Sequence, residues 1–168
     1  MPMPIALAEN NLNALAEILI EHFPEQYNQT VFQIIQQDKE NINTSIGKIA
    51  QAVTMSDFVT ECLKKQPHFL HEWWQKTPEL ADCDNYPERL HALLQHVQND
   101  EALYKALRQF RNREMANLSF CQSLNLGTVE EIFIRLSQLA EALIIATRDW
   151  LYLQACSDGR SSAPAGCL

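Results

Sequence analysis

Apolar positions recur at spacings of three and four through most of this chain, and the strongest run lies near its end. Val129, Ile132, Phe133, Leu136, Leu139, Ala140, Leu143, Ile144, Thr147, Trp150 and Leu151 fall on one face of a helix. Gly127 breaks the chain before it, Thr128 is a good N-cap, and Glu131 three residues on completes a capping box. A long amphipathic helix over about 128–156 would span roughly 40 Å at about 1.5 Å per residue. Ile134 and Ile145 lie off the main stripe and widen the apolar face, so the pattern predicts neighbours on more than one side. A second helix precedes it, starting at the Asn99-Asp100 capping signal and carrying Leu107 to Met115.

Upstream, the same periodicity predicts further helices. Residues 5–22 present Leu7, Leu12, Leu15, Ala16 and Leu19 on one face, and Pro24 ends the run. Gln26–Lys39 is a weaker, Gln- and Asn-rich helix around Val31, Phe32, Ile34 and Ile35, and Asn41–Gln51 is a short third helix using Ile42, Ile46 and Ile49. Ser56 reads as an N-cap with Asp57 in the first turn, where a negative charge suits the helix dipole. That helix stops near Gln66, because Pro67 disfavours helical geometry in the residue before it, and Pro67 can open the next. Thr77–Tyr86 reads as a polar loop and Pro87–Val97 as another helix. No stretch alternates apolar and polar residues long enough for a strand. The fold class is therefore all-α: seven or eight helices in an irregular bundle.

From Ser157 the periodicity vanishes into small residues that cannot bury enough surface to order themselves, which predicts a flexible tail or truncated linker over 157–168. Residues 1–156 form the helical segment.

Composition changes the picture in three ways. A net charge of −8 argues against non-specific binding of nucleic acid or anionic membrane. Cys62, Cys83, Cys121, Cys156 and Cys167 are odd in number and scattered, which predicts a reducing cytoplasm rather than a disulfide framework. The N-terminus, Met1-Pro2-Met3-Pro4-Ile5, carries no basic targeting region, and no uncharged apolar run is long enough to span a bilayer.

Candidate chemistry is sparse. Asp82-Cys83-Asp84 is the only D-x-D, and it lies in a predicted loop with no strand to hold it. His68 and His71 are three apart, fewer than the three or four ligands a zinc site needs. A carboxylate-bridged four-helix metal protein would need a pair of Glu-x-x-His motifs, which the sequence does not supply. Arg108 and Arg111 share one side of their helix, while Arg113 points elsewhere. They read either as a solvated face paired with acids such as Glu101 or Glu114, or as a docking surface for an acidic or nucleotide-bearing neighbour. Glu114 sits on an apolar stripe with Leu107, Phe110, Leu118 and Cys121 and needs a polar partner if buried. Arg148-Asp149 near the end of the long helix is a second candidate docking pair.

Three segments together are more specific than any of these. Ser56-Asp57-Phe58-Val59 with Pro67 comes first. Leu107-Arg108-x-Phe110-Arg111-x-Arg113-x-Met115 follows. The third is Leu136-Ser137-x-Leu139-Ala140-Glu141-x-Leu143-Ile144-x-Ala146-x-Arg148-Asp149-Trp150-Leu151-Tyr152. Over about residues 54–156 the chain resembles the N-terminal region of the bacterial glutamine synthetase adenylyltransferase/adenylyl-removing enzymes. The resemblance implies a bifunctional nucleotidyltransferase that uses ATP and Mg²⁺ to attach AMP to a tyrosine of glutamine synthetase. It also implies removal of that AMP by phosphorolysis, under control of the PII signalling protein and glutamine. In the family a glycine-rich segment and a Ser-Asp-x-Asp motif follow the helices, and neither has a counterpart among residues 1–168. No catalytic, cofactor-binding or metal-binding residue is therefore carried over. Arg108, Arg111, Arg148 and Asp149 remain as a docking surface for the catalytic domain. The alternative is a stand-alone helical interaction module.

Overall fold

The computed structural model describes residues 5–157, and among these it contains eight α-helices, one 3-10 turn and no strand. The helices are α1 (Ile5–His22), α2 (Thr30–Asp38), α3 (Ser45–Met55), α4 (Asp57–Lys65), α5 (Pro67–Gln75), α6 (Tyr86–Leu94), α7 (Asp100–Ser123) and α8 (Val129–Ser157). The residues fall into two compact units. Among the described residues one comprises 5–84 and 112–135; the other comprises 85–111 and 136–157.

In the first unit α1 packs against α2, α3, α4 and α5. Leu15 and Leu19 of α1 are fully buried, as are Ile49 of α3, Leu63 of α4, and Phe69 and Leu70 of α5. Each such side chain contributes about 1.5–3 kcal/mol on burial. Trp73 bridges the aromatic core, edge-on to Phe69 at 4.8 Å and to Phe120 of α7 at 4.7 Å between ring centroids. A polar tie runs through it: Asn11 Nδ2 donates to Val53 O at 2.9 Å and to Asp57 Oδ1 at 2.8 Å, which pins α1 to the α3–α4 junction.

The helix starts follow local chemistry. Thr44 Oγ1 accepts from Gly47 N–H at 3.0 Å and Ser56 Oγ from Val59 N–H at 3.4 Å. Asn99 Oδ1 accepts from Ala102 N–H at 2.8 Å. Pro67 occupies the first turn of α5.

Several boundaries differ from the sequence reading. α2 begins at Thr30 rather than Gln26, because Phe23–Asn28 turns back on itself through Gln26 and Tyr27 N–H donors to Phe23 O. α3 begins at Ser45 rather than Asn41, since Asn41–Thr44 is a turn closed by Thr44 N–H to Asn41 O at 3.1 Å. Ile42 therefore sits outside the helix and is exposed. The predicted loop at 77–86 contains a 3-10 turn, Leu80–Asp82, and α6 starts one residue early at Tyr86 and stops at Leu94 rather than Val97. α8 runs one residue further than predicted, so Ser157 is helical; the rest of the predicted tail lies outside the described residues.

The second unit is built from α6, the Asp100–Arg111 part of α7 and the part of α8 from Leu136 onward. Its core is Leu94, Leu103 and Trp150, with Val97, Ala106, Leu107 and Ala146 packed against them. Tyr86 is buried edge-on to Phe110, and the Arg89 guanidinium lies over the Phe110 ring at 5.2 Å. The α8 stripe is only partly used. Ile132, Leu139 and Trp150 are buried, whereas Val129, Phe133, Ile144 and Leu151 are exposed, Ile144 by 69%.

Candidate functional site

All four residues singled out from the sequence as a docking surface, Arg108, Arg111, Arg148 and Asp149, lie in the second unit. Arg108 and Arg111 are brought together as expected of an i, i+3 pair. They line a groove of about 310 Å³ between α7 and α8, with Tyr104, Leu107, Leu143 and Thr147. Thr147 Oγ1 is turned inward onto Leu143 O at 2.6 Å. The groove thus presents two guanidinium groups beside a small apolar floor, a surface suited to a carboxylate or phosphate.

Arg148 and Asp149 do not join that groove. They pair with each other along α8, with Arg148 Nη2 at 2.6 Å and Nε at 2.8 Å from Asp149 Oδ1. Both are exposed, so this pair contributes little to stability. Asp149 faces a second and larger groove, about 580 Å³, between α6 and α8. Its walls are Pro87, Glu88 and His91 on α6 and Ile145, Asp149 and Leu153 on α8. Sequence reasoning missed this groove, because nothing in α6 marks Glu88 and His91 as neighbours of residues about sixty positions later.

Arg113 belongs to the first unit and is committed there. Its guanidinium pairs with Glu72 of α5 and lies 5.0 Å above the Phe69 ring. Glu114 is fully buried, as its position on the apolar stripe implied.

The D-x-D segment is occupied with structure. Glu79 N–H donates to Asp82 Oδ2 at 2.9 Å, so Asp82 closes a reciprocal cap on the 3-10 turn. Asp84 Oδ2 holds Arg135 Nη1 of α8 at 2.9 Å. Cys83 between them is fully buried. The hydrogen bond to Cys121, then burial, push the Cys83 thiol well above the ordinary thiol range. His71 is likewise engaged, with Nδ1 3.0 Å from Tyr27 Oη and its ring stacked on Phe23 at 4.8 Å. Burial raises the Tyr27 phenol above its usual value.

Among the described residues no group of three His, Cys, Asp or Glu side chains is placed to hold a metal ion. No helix among the described residues is long and apolar enough to cross a membrane.

Comparison with known proteins bears directly on this arrangement. The family model for glutamate-ammonia ligase adenylyltransferase matches residues 46–166. The chain is 60% identical over 158 residues to the bifunctional glutamine synthetase adenylyltransferase/adenylyl-removing enzyme of Pasteurella multocida. It is 61% identical over the same length to the protein of that name from Mannheimia succiniciproducens. Each alignment covers 94% of this chain and 16% of the relative. The corresponding protein of Mannheimia haemolytica is 50% identical over 113 residues, which is 67% of this chain and 12% of the relative. The chain therefore spans about a sixth of the length of the curated relatives it matches. With a family model covering most of its residues, including α3 to α8 almost entire, this chain belongs to the glutamate-ammonia ligase adenylyltransferase family.

Proposed function

We propose that this chain is a non-catalytic helical scaffold from the N-terminal, adenylyl-removing half of an enzyme that adds AMP to glutamine synthetase and removes it. The observation that carries this reading is the 60% identity, spread over 94% of the chain, to enzymes of that name. In the whole enzyme the ATP- and Mg²⁺-handling carboxylates sit in a domain outside these residues. PII and glutamine act on that larger, cytoplasmic assembly. The arginine groove of Arg108 and Arg111 and the exposed apolar part of α8 are the surfaces through which this scaffold meets the catalytic domain. Such a role explains why a long helix keeps Ile144 and Leu151, seven apart on one face, in solvent: exposed apolar side chains grouped on one face mark interaction surfaces.

The test uses adenylylated glutamine synthetase with phosphate and Mg²⁺, and reads loss of the AMP group by intact mass. The purified chain leaves the modified subunit unchanged, while the full-length Pasteurella multocida enzyme removes the group. Removal by the 168-residue chain alone overturns the assignment.

A further inference from the structure

The α6–α8 groove of the second unit belongs to no function described so far. Its α8 wall runs from Ala142 to Leu153, about 17 Å at roughly 1.5 Å per residue, or three helical turns. That is the span covered by the i, i+3/i+4 and i+7 anchors of a docked amphipathic helix. Along this wall Ala142, Ile145, Ala146 and Leu153 supply apolar surface, and Trp150 lies at its base. Two carboxylates line the groove, and its other polar side chains, His91 and Gln95, contact each other at 3.2 Å. Glu88 stands on the α6 wall and Asp149 on the α8 wall, and neither lysine nor arginine lines the groove. Arg148 contacts Asp149 but is not among the lining residues.

From this geometry we infer that the α6–α8 groove receives a basic amphipathic helix from a later part of the same polypeptide in the full-length enzyme. The apolar floor takes the hydrophobic side of that helix. Glu88 and Asp149, on opposite walls, receive lysine or arginine side chains at its two edges, so charge sets the orientation while burial supplies the attraction. The source is intramolecular because the relatives continue for most of their length beyond what this chain matches. This inference rests on the scaffold reading. It concerns a surface distinct from the arginine groove and opposite to it in charge.

The experiment is hydroxyl-radical footprinting of the 168-residue chain and of the full-length enzyme containing it, with side-chain modification read by mass spectrometry. His91, Ile145 and Leu153 are expected to lose reactivity in the full-length enzyme. Glu88→Lys with Asp149→Lys should restore it, and Glu141→Lys, an exposed control on α8, should not. Equal modification in both proteins overturns the inference. So does protection that survives the double charge reversal, or protection that appears only when glutamine synthetase is added. AMP removal is measured on the same full-length sample, so an active enzyme with an open groove refutes this inference and leaves the scaffold reading standing.

Discussion

Thr128 and Glu131 close a reciprocal cap at the start of α8: the Thr128 N–H donates to Glu131 Oε2 at 2.8 Å, and the Glu131 N–H donates to Thr128 Oγ1 at 3.2 Å. Donation from the Thr128 backbone N–H, and then from its side-chain hydroxyl, holds the Glu131 carboxyl below its ordinary value. Because the folded state binds this proton less tightly than the unfolded chain, the cap is fully effective above the ordinary glutamate range. Its contribution disappears as pH falls through the depressed folded value. Glu131→Gln should therefore be less stable than the parent at neutral pH, with the gap closing in acid. Urea midpoints measured across pH 3 to 7 check the convergence. Thr128→Ala should cost about 1 kcal/mol at neutral pH.

A second expectation separates the buried from the exposed side of α8. Trp150 lies in the core with Leu94 and Leu103, while its neighbour Leu151 is exposed. Trp150→Ala should destabilise the chain by about 3–5 kcal/mol. Ile144→Ala, at an exposed position, should shift stability by no more than about 0.5 kcal/mol. Equal losses in chemical denaturation would mean that Ile144 is covered in solution.

These two residues also show what could be read in advance. Ile144 and Trp150 sit in one apolar pattern, and periodicity assigns both to a single stripe without saying which part has a neighbour. Helix existence was legible because capping residues are local: Thr128, Ser56, Asn99 and Pro67 each act within three residues. The start of α3 was obscured because Ile42 and Ile46 are four apart and mimic a helical pair. In fact the Asn41 carbonyl turns the chain and Thr44 supplies the cap. The pairing of Arg108 with Arg111 was visible in their spacing, whereas the α6–α8 groove depends on residues far apart in the chain. Asn11 reaching Val53 and Asp57 was hidden for the same reason.

Thiol accessibility offers a third measurement. Cys62, Cys83 and Cys121 are buried and Cys156 is exposed. Cys62 and Cys83 lean on the backbone carbonyls of Asn112 and Glu79, both at 3.8 Å. In a Cys167→Ser background, one thiol should react with a maleimide under native conditions and three more only on unfolding. Peptide mapping should assign the fast site to Cys156. Rapid labelling of Cys83 in the native chain would show that the 3-10 turn opens.

The two described glycines make the last comparison, because their surroundings differ in kind. A Cβ on Gly47 would lie 1.9 Å from the carbonyl oxygen of Asn41, in the turn entering α3, and 2.7 Å from that of Asp38 at the end of α2, both backbone atoms. A Cβ on Gly127 would meet Leu80 Cδ2 at 2.4 Å, the end of a side chain that can rotate away. Alanine in a helix interior gains up to about 1 kcal/mol over glycine in propensity. At Gly47 that gain is opposed by a collision only backbone movement can relieve, and overpacking of this sort costs about 1–3 kcal/mol. Gly47→Ala should therefore be net destabilising, with Gly127→Ala the milder of the two. Thermal melts of the two variants decide it: if Gly47→Ala melts at or above the parent temperature, the Asn41–Thr44 turn does not press on α3 as closely as its carbonyls indicate.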